Sequence, residues 1–296
     1  MISILIPTYN YNIYGLVTQI HEQAIQLDFP FEIIVCEDAS EIFTDKNEKI
    51  SGFSHTQYSK LAKNIGRTAL RDLLANNANY NWLLFLDADV MPKSENFIKN
   101  YIRNLKTTET EVIFGGICYE EVKPETTKML RWKYGTEREA KPVQEREKDK
   151  FAVISQNLLI KKQVFLKTNT LKENFYGLDI FFSNQLKRLN VNVKHIDNPV
   201  IHFGLEENRV FLKKAMAAVE TTVILEKKGM MDKDMRPLQK TYLKLKKNGA
   251  TKSFSLLISK FQVKMEHNFN SSNPNLFWFD LYRLNYYIQL KKKHNA

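Results

Sequence analysis

Leu83-Leu84-Phe85-Leu86-Asp87-Ala88-Asp89 is the stretch that decides the fold. Four apolar residues in a row suit a strand covered on both faces, and carboxylates two positions apart in an extended chain point to the same side. Hard oxygen ligands placed beyond the C-terminal end of a strand suit Mg2+ or Mn2+ shared with substrate phosphates, and open α/β sheets bind ligands at that end. A cation there would neutralise a departing diphosphate. Taken alone, the same pattern also describes a polar turn closing a strand.

Working outward, Ile2–Ile6 and Phe31–Cys36 are short apolar runs of the same kind as Trp82–Leu86. Leu70, Leu73 and Leu74 recur at helical spacing, as do Phe97, Ile98, Tyr101, Ile102 and Leu105. Strands alternating with helices predict an α/β fold with a mostly parallel central sheet flanked by helices. Further strand character is expected at Val112–Cys118 and Phe151–Ile160, a helix at Ile180–Leu189, and two extended pieces in Val191–Phe203 separated by Pro199. The charged stretch Glu120–Lys150 has little periodicity beyond Met129–Tyr134 and reads as a mobile flap. From Glu206 the pattern is helical, with Val210, Phe211, Ala217, Ala218 and Thr221 on expected core faces, and it ends in an aromatic stretch, Leu276–Leu290. This divides the chain into residues 1–205, the sheet domain, and 206–296, a basic α-helical appendage.

The charge follows that division. The net charge is +11, and residues 206–296 hold 18 Lys and Arg against 8 Asp and Glu, which accounts for +10 of it. Such asymmetry suits an anionic partner, a lipid headgroup surface or a nucleic acid, or simply a solvated basic face. Phe277-Trp278-Phe279-Asp280-Leu281-Tyr282-Arg283, followed by Lys291, Lys292 and Lys293, suits a helix lying in a membrane interface, and packing of the aromatics back onto the sheet domain would explain it equally well. No RNP-like, helix-turn-helix or zinc signature accompanies the basic residues, so no nucleic-acid partner is expected. Cys36 and Cys118 each sit in an apolar run and read as inert core thiols. The first strand pattern begins at Ile2 and no uncharged apolar run reaches ~18 residues, which predicts a cytoplasmic chain without a membrane span, and the basic, aromatic C-terminal part adds the expectation of a peripheral place on the inner face of the plasma membrane.

Three further segments accompany the central motif. Pro7-Thr8-Tyr9-Asn10 follows the first strand, Glu37-Asp38-Ala39-Ser40 follows the second, and Asn64-Ile65-Gly66 opens a helix containing Leu70-Arg71-Asp72. In order and spacing, residues 2–206 resemble family 2 glycosyltransferases of the GT-A fold. The resemblance implies an inverting transferase that takes a sugar from a nucleotide diphosphate donor, commonly a UDP-sugar, with Mn2+ or Mg2+. It implies donor contacts at Pro7, Thr8, Tyr9, Asn64, Arg71 and Ala88, with Asp38 hydrogen-bonding the base and Gly66 admitting the donor to the backbone. Asp87 would face ribose and metal, and Asp89 would ligate the metal directly. His202, in Val200-Ile201-His202-Phe203-Gly204, lies where related enzymes place an imidazole near the diphosphate and metal.

Transfer with inversion also needs a carboxylate to take the acceptor hydroxyl's proton. Asp179, in Tyr176-Gly177-Leu178-Asp179, resembles the Glu-Asp motif that carries the base in this family, and Leu186 keeps the family's spacing after it. Leu178 stands where the family has Glu. Asp179 could otherwise be an acid placed at a helix N-terminus. Trp132, Arg138 and Asn157 lie where this family contacts donor sugar and acceptor, the acceptor being a glycan or lipid-linked glycan of surface polysaccharide synthesis. A second reading, motivated by Leu178 and the basic appendage, is a catalytically weakened GT-A-fold nucleotide-binding or scaffold protein. A haloacid-dehalogenase-type phosphohydrolase also uses Asp-x-Asp, but it wants Thr or Val where this chain has Met91, and the motif lies far from the N-terminus.

Overall fold

Strand β1 (Ile2–Thr8) is buried along its whole length, as expected of a largely apolar strand covered on both faces, with the buried Ser3 donating to Glu32. In the computed structural model, which describes residues 1–105, 109–171, 173 and 175–295, it lies near the middle of a seven-stranded sheet. β1 pairs in parallel with β2 (Phe31–Glu37) on one side and with β4 (Trp82–Leu86) on the other, and β2 pairs in parallel with β3 (Thr56–Lys60). Beyond β4 the direction changes. β8 (Asn157–Lys161) is antiparallel to both β4 and β6 (Val112–Phe114), and β9 (Val193–His195) closes that edge parallel to β6. The order β3-β2-β1-β4-β8-β6-β9 is that of a mixed sheet with a parallel majority, flanked by helices that include Tyr14–Ile25, Arg67–Asn77 and Phe97–Asn104. A three-stranded sheet joins β5 (Val90–Pro92), β10 (Val200–His202) and β7 (Ile117–Cys118).

Several expectations are corrected here. Val112–Cys118 is not one strand. It breaks at Gly115-Gly116, whose carbonyls accept from the Asn198 amide (3.0 Å) and the Asn157 side chain (2.8 Å), and it resumes as β7 in the other sheet. The strand expected from Phe151 begins only at Asn157. The stretch 120–150 is folded in separate pieces, not as a free flap: Arg146 is buried, stacks 5.0 Å over the Phe114 ring, and donates to the carbonyls of Phe114 (3.1 Å) and Ile196 (2.9 Å).

The chain forms two compact units. The first comprises Met1–Glu120, Ala140–Asn174 and Gln185–Gly204 and contains both sheets. The second comprises Glu121–Glu139, Phe175–Asn184 and Leu205–Ala296. Its helices include Met129–Tyr134, Asn208–Lys227, Pro237–Lys247, Thr251–Lys260, Gln262–Phe269 and Leu276–Asn295. Val210, expected in the core, is 44% exposed, because the buried side of its helix runs through Phe211, Ala215, Ala218 and Thr222. The C-terminal aromatics divide between the core and the surface, with Phe277 65% exposed. Phe279 is fully buried, stacked on Phe211 at 5.7 Å and edge-on to Phe269 and Tyr134 within the same unit. Buried Glu226 accepts from Tyr287 (2.6 Å), Lys291 (2.8 Å) and Gln239. Among the described residues no helix is long and apolar enough to cross a membrane.

Candidate active site

The C-terminal ends of β1 and β2 are tied together before any ligand is considered. The Asp38 amide donates to the Thr8 carbonyl at 2.8 Å, and Asn10 takes the Glu41 amide on its side chain at 2.7 Å. Asp38 is buried, and its two carboxylate oxygens accept from the amides of Ile65 (2.7 Å) and Gly66 (2.9 Å), while Asn64 donates to its carbonyl at 3.0 Å. Gly66 takes φ +85° at this crossing, in the region that disfavours a side chain, and it precedes the helix Arg67–Asn77. Pro7, Thr8, Asp38, Asn64 and Gly66 are thus one constellation, with Tyr9 exposed at its rim. Asp38 holds the loop as well as facing it. Each of its oxygens keeps a second lone pair for a further donor.

Asp87 leaves β4 into a cationic bracket. Arg67 donates to one carboxylate oxygen at 2.7 Å and Arg71 donates to the other. The same guanidinium groups reach the Ser155 side chain (3.2 Å) and carbonyl (2.9 Å), and Arg71 also lies over the Phe85 ring. Burial by itself would raise the Asp87 pKa, but the adjacent Arg67 and Arg71 charges outweigh it and hold the carboxyl well below the usual range. Asp87 is therefore a fixed anion held by arginines, in surroundings different from those of Asp89.

Asp89 belongs to another cluster. The antiparallel pairing of β10 with β5 sets His202 opposite Val90, one residue beyond Asp89, and the Phe203 amide closes the register on the Asp89 carbonyl at 2.9 Å. His202 Nε2 lies 3.1 Å from Asp89 Oδ2, and its Nδ1 lies 3.2 Å from the Tyr119 hydroxyl. If the ring proton sits on Nδ1 and is donated to Tyr119, the Nε2 lone pair is presented beside Asp89. A Cβ at residue 204 would overlap Asp89 Oδ2 and stand 2.8 Å from His202 Nε2, so glycine keeps this space open. Among the described residues no cluster of three or more His, Cys, Asp or Glu could hold a metal ion. One carboxylate and one imidazole still fit a hard or borderline divalent ion that takes its remaining ligands from phosphates and water.

The other predicted residues fall elsewhere. Asn157 is fully buried with its amide committed: it donates to the carbonyls of Gly116 and Asn198 (2.9 Å) and accepts from the Tyr101 hydroxyl at 2.6 Å. That geometry makes it a strand tie, and the expected acceptor contact is corrected accordingly. Asp179 opens the helix Asp179–Arg188 in the second compact unit, and Trp132 lies in the Met129–Tyr134 helix of that unit. Nearby Tyr176 has its phenol pushed up to about 12, first by burial and then by acids that include Glu206 and Asp179. Ala88, half-buried, separates the two Asp clusters. Arg67, Ser155, Tyr119 and Gly204 were not singled out by the sequence reading. Only Arg67 carried a signal, its i,i+4 spacing to Arg71 on one helix face.

A model of the family described as "Glycosyl transferase family 2" matches residues 3–169. No curated protein sequence compared matches the chain. Among solved structures, the mannosyltransferase PcManGT from Pyrobaculum calidifontis, in complex with GDP-Man and Mn2+, superposes with a TM-score of 0.59 at 12% identity, covering 100% of this chain and 87% of that one. Mannosyl-3-phosphoglycerate synthase from Rubrobacter xylanophilus gives 0.55 at 14% identity, covering 80% and 77%. S. aureus TarS 1–349 in complex with UDP-GlcNAc gives 0.52 at 16% identity and 74% coverage of this chain, which spans 65% of that one. At such identities the likeness is one of fold, the GT-A fold, and the family match carries the assignment: the chain belongs to glycosyl transferase family 2.

Proposed function

We propose that this chain is an inverting, metal-dependent transferase that moves a sugar, of hexose type, from a nucleotide diphosphate donor, a UDP-sugar, to a glycan or lipid-linked glycan acceptor in surface polysaccharide synthesis. The observation that carries the reading is the pairing of Asp89 with His202 at 3.1 Å beside a residue whose side chain is absent. A divalent ion, Mn2+ or Mg2+, would be held by Asp89 and His202 and would supply charge neutralisation at the diphosphate. The nucleotide-sugar donor and the cation are supported by GDP-Man and Mn2+ in the mannosyltransferase and by UDP-GlcNAc in TarS.

The chain's own residues take the remaining roles. Thr8, Asp38 and the Gly66 backbone form the base and ribose cradle, with Pro7, Tyr9 and Asn64 around it. Asp87, fixed by Arg67 and Arg71, orients its neighbours and faces the ribose; the bracket gives it an electrostatic role distinct from ligation by Asp89. Asp179 takes the proton of the acceptor hydroxyl as that oxygen attacks the anomeric carbon, with Trp132 on the acceptor side. Residues 1–205 carry this chemistry, and the basic residues 206–296 meet an anionic membrane surface on the cytoplasmic side. Leu178, in place of the family's Glu, favours one second reading, a nucleotide-binding scaffold with weakened turnover.

Thermal stability against nucleotide diphosphates and nucleotide sugars, with Mn2+, Mg2+ or chelator, tests the donor site. Saturation at about 100-fold over Kd adds roughly 2.7 kcal/mol. A metal-dependent upshift with one nucleotide class, lost in Asp89→Ala, is the expected outcome, and no shift with any nucleotide overturns the reading. Nucleotide binding without turnover across a wide acceptor panel selects the scaffold.

A further inference from the structure

The second unit contains a stretch unlike any other in the chain. From Met235 to Met265 there is no Asp or Glu, while seven lysines and Arg236 are present. Arg236 is buried, but all seven lysines are exposed. Within this stretch the helix Thr251–Lys260 buries Ser255 and Ile258 and turns the opposite face outward. That outer face is apolar where a solvated helix would be polar. Leu256 is 66% exposed and Leu257 55%. At the corner where the helix gives way to Gln262–Phe269, Phe261 is exposed and Val263 is 68% exposed. Lys252, Lys260 and Lys264 are interleaved with these side chains.

Large apolar side chains at such exposure lose free energy to water unless something covers them, and a cluster rimmed by cations marks an interaction surface. We propose that the corner formed by Leu256, Leu257, Phe261 and Val263, with its flanking lysines, is the surface that docks on an anionic lipid bilayer, the apolar side chains entering the acyl boundary and the lysines meeting headgroup phosphates. The inference rests on the peripheral-membrane reading above and moves the contact from the C-terminal aromatics, of which Phe279 is fully buried and only Phe277 is exposed, to this corner. Charge complementarity selects the occupant: an acid-free basic rim around aliphatic side chains suits an anionic bilayer. A nucleic acid would use the lysines but find little to stack on, since three of the four apolar residues are aliphatic. A second copy would bring another cationic rim against the first.

The test uses the full chain and sedimentation with vesicles of equal parts phosphatidylglycerol and phosphatidylcholine, or of phosphatidylcholine alone. Binding to the anionic vesicles only is expected. Lys252→Gln, Lys260→Gln and Lys264→Gln together should weaken it on the order of 100-fold, about fivefold per lysine near the surface. Leu257→Glu with Val263→Glu should weaken it at least about 10-fold by removing apolar insertion and adding repulsion. Both variants should keep the wild-type thermal shift with nucleotide and metal, which separates this surface from the donor site. Wild-type affinity in both variants would place membrane contact elsewhere and overturn the proposal alone. No vesicle binding by the wild-type chain, binding to single-stranded nucleic acid in its place, or self-association abolished by the same substitutions would overturn it together with the membrane reading.

Discussion

The two compact units treat buried charge in opposite ways. In the sheet unit, the carboxylates that follow the strands are engaged at the strand ends: Asp38 by two backbone amides, Asp87 by two arginines, and Asp89 beside an imidazole. In the helical unit the most deeply engaged carboxylate, Glu226, is spent inward, joining three helices through Gln239, Tyr287 and Lys291. Polar groups at the strand ends of the sheet unit are the ones proposed to meet a ligand, whereas those around Glu226 in the helical unit engage one another. The outward face of that unit carries the lysines and the uncovered leucines instead.

This contrast can be broken at either end. The largest effect is expected for Glu226→Ala, which removes the acceptor of the Tyr287 hydroxyl and the Lys291 ammonium and leaves the Gln239 amide only the Asp232 carbonyl. A loss of about 3–5 kcal/mol is expected by analogy with a broken buried ion pair. Chemical denaturation measures it, and nucleotide affinity should be unchanged in the protein that remains folded. If nucleotide affinity falls as well, the two units are energetically coupled and the contrast is too sharp. Arg71→Ala should do the reverse, costing about 2–3 kcal/mol by stripping a hydrogen-bonded charge from Asp87, and also weakening nucleotide binding at least about 10-fold. Arg71→Ala with Asp87→Asn should recover part of the stability but not the binding.

The smallest effect concerns pH. Burial, reinforced by the Arg146 charge, lowers the His195 pKa, although the hydrogen bond from its Nε2 to the Lys150 carbonyl acts the other way. The unfolded chain therefore takes up a proton near the ordinary imidazole pKa of 6.5 while the folded chain stays neutral. Stability should be full above that pH and fall as acid approaches the folded value, by about 1 kcal/mol or less. Denaturation midpoints of wild type and His195→Gln between neutral and mildly acidic pH measure it, and equal slopes would remove His195 as the cause.

How far the fold could be read from sequence depended on periodicity. β1, β2 and β4 are largely apolar because both faces are covered, with the interior Ser3 and Glu32 hydrogen-bonded to each other, and their order with intervening helices fixes the parallel half of the sheet. Asp38, Asp87 and Asp89 follow β2 and β4, so the pattern placed them at strand ends, while Gly66 precedes a helix and His202 ends β10. Tyr119, Ser155 and Gly204 come to the site only through the pairing of strands distant in sequence, which no local pattern encodes. Asn157 was misplaced for the same reason: a buried amide that ties strands and an amide that meets a ligand look alike until its partners are known. In the C-terminal part, helical periodicity gave the helices but not which aromatic side would be covered, because Phe279 meets Phe211 and Leu130 from far upstream.

That last contact bears on how the protein is made. Leu130 emerges from the ribosome long before Phe279, and both belong to one core cluster with Phe211 and Phe269. The strands β1, β2, β3 and β4 can pair with one another as soon as Leu86 has been synthesised, and β8 adds to β4 later. The helical unit must instead keep Glu121–Glu139 and Phe175–Asn184 in waiting until its final helix is released. Synthesis from the N-terminus therefore favours an early sheet and a later helical core, and a stall before residue 276 leaves that core incomplete and its partner residues open to misassociation.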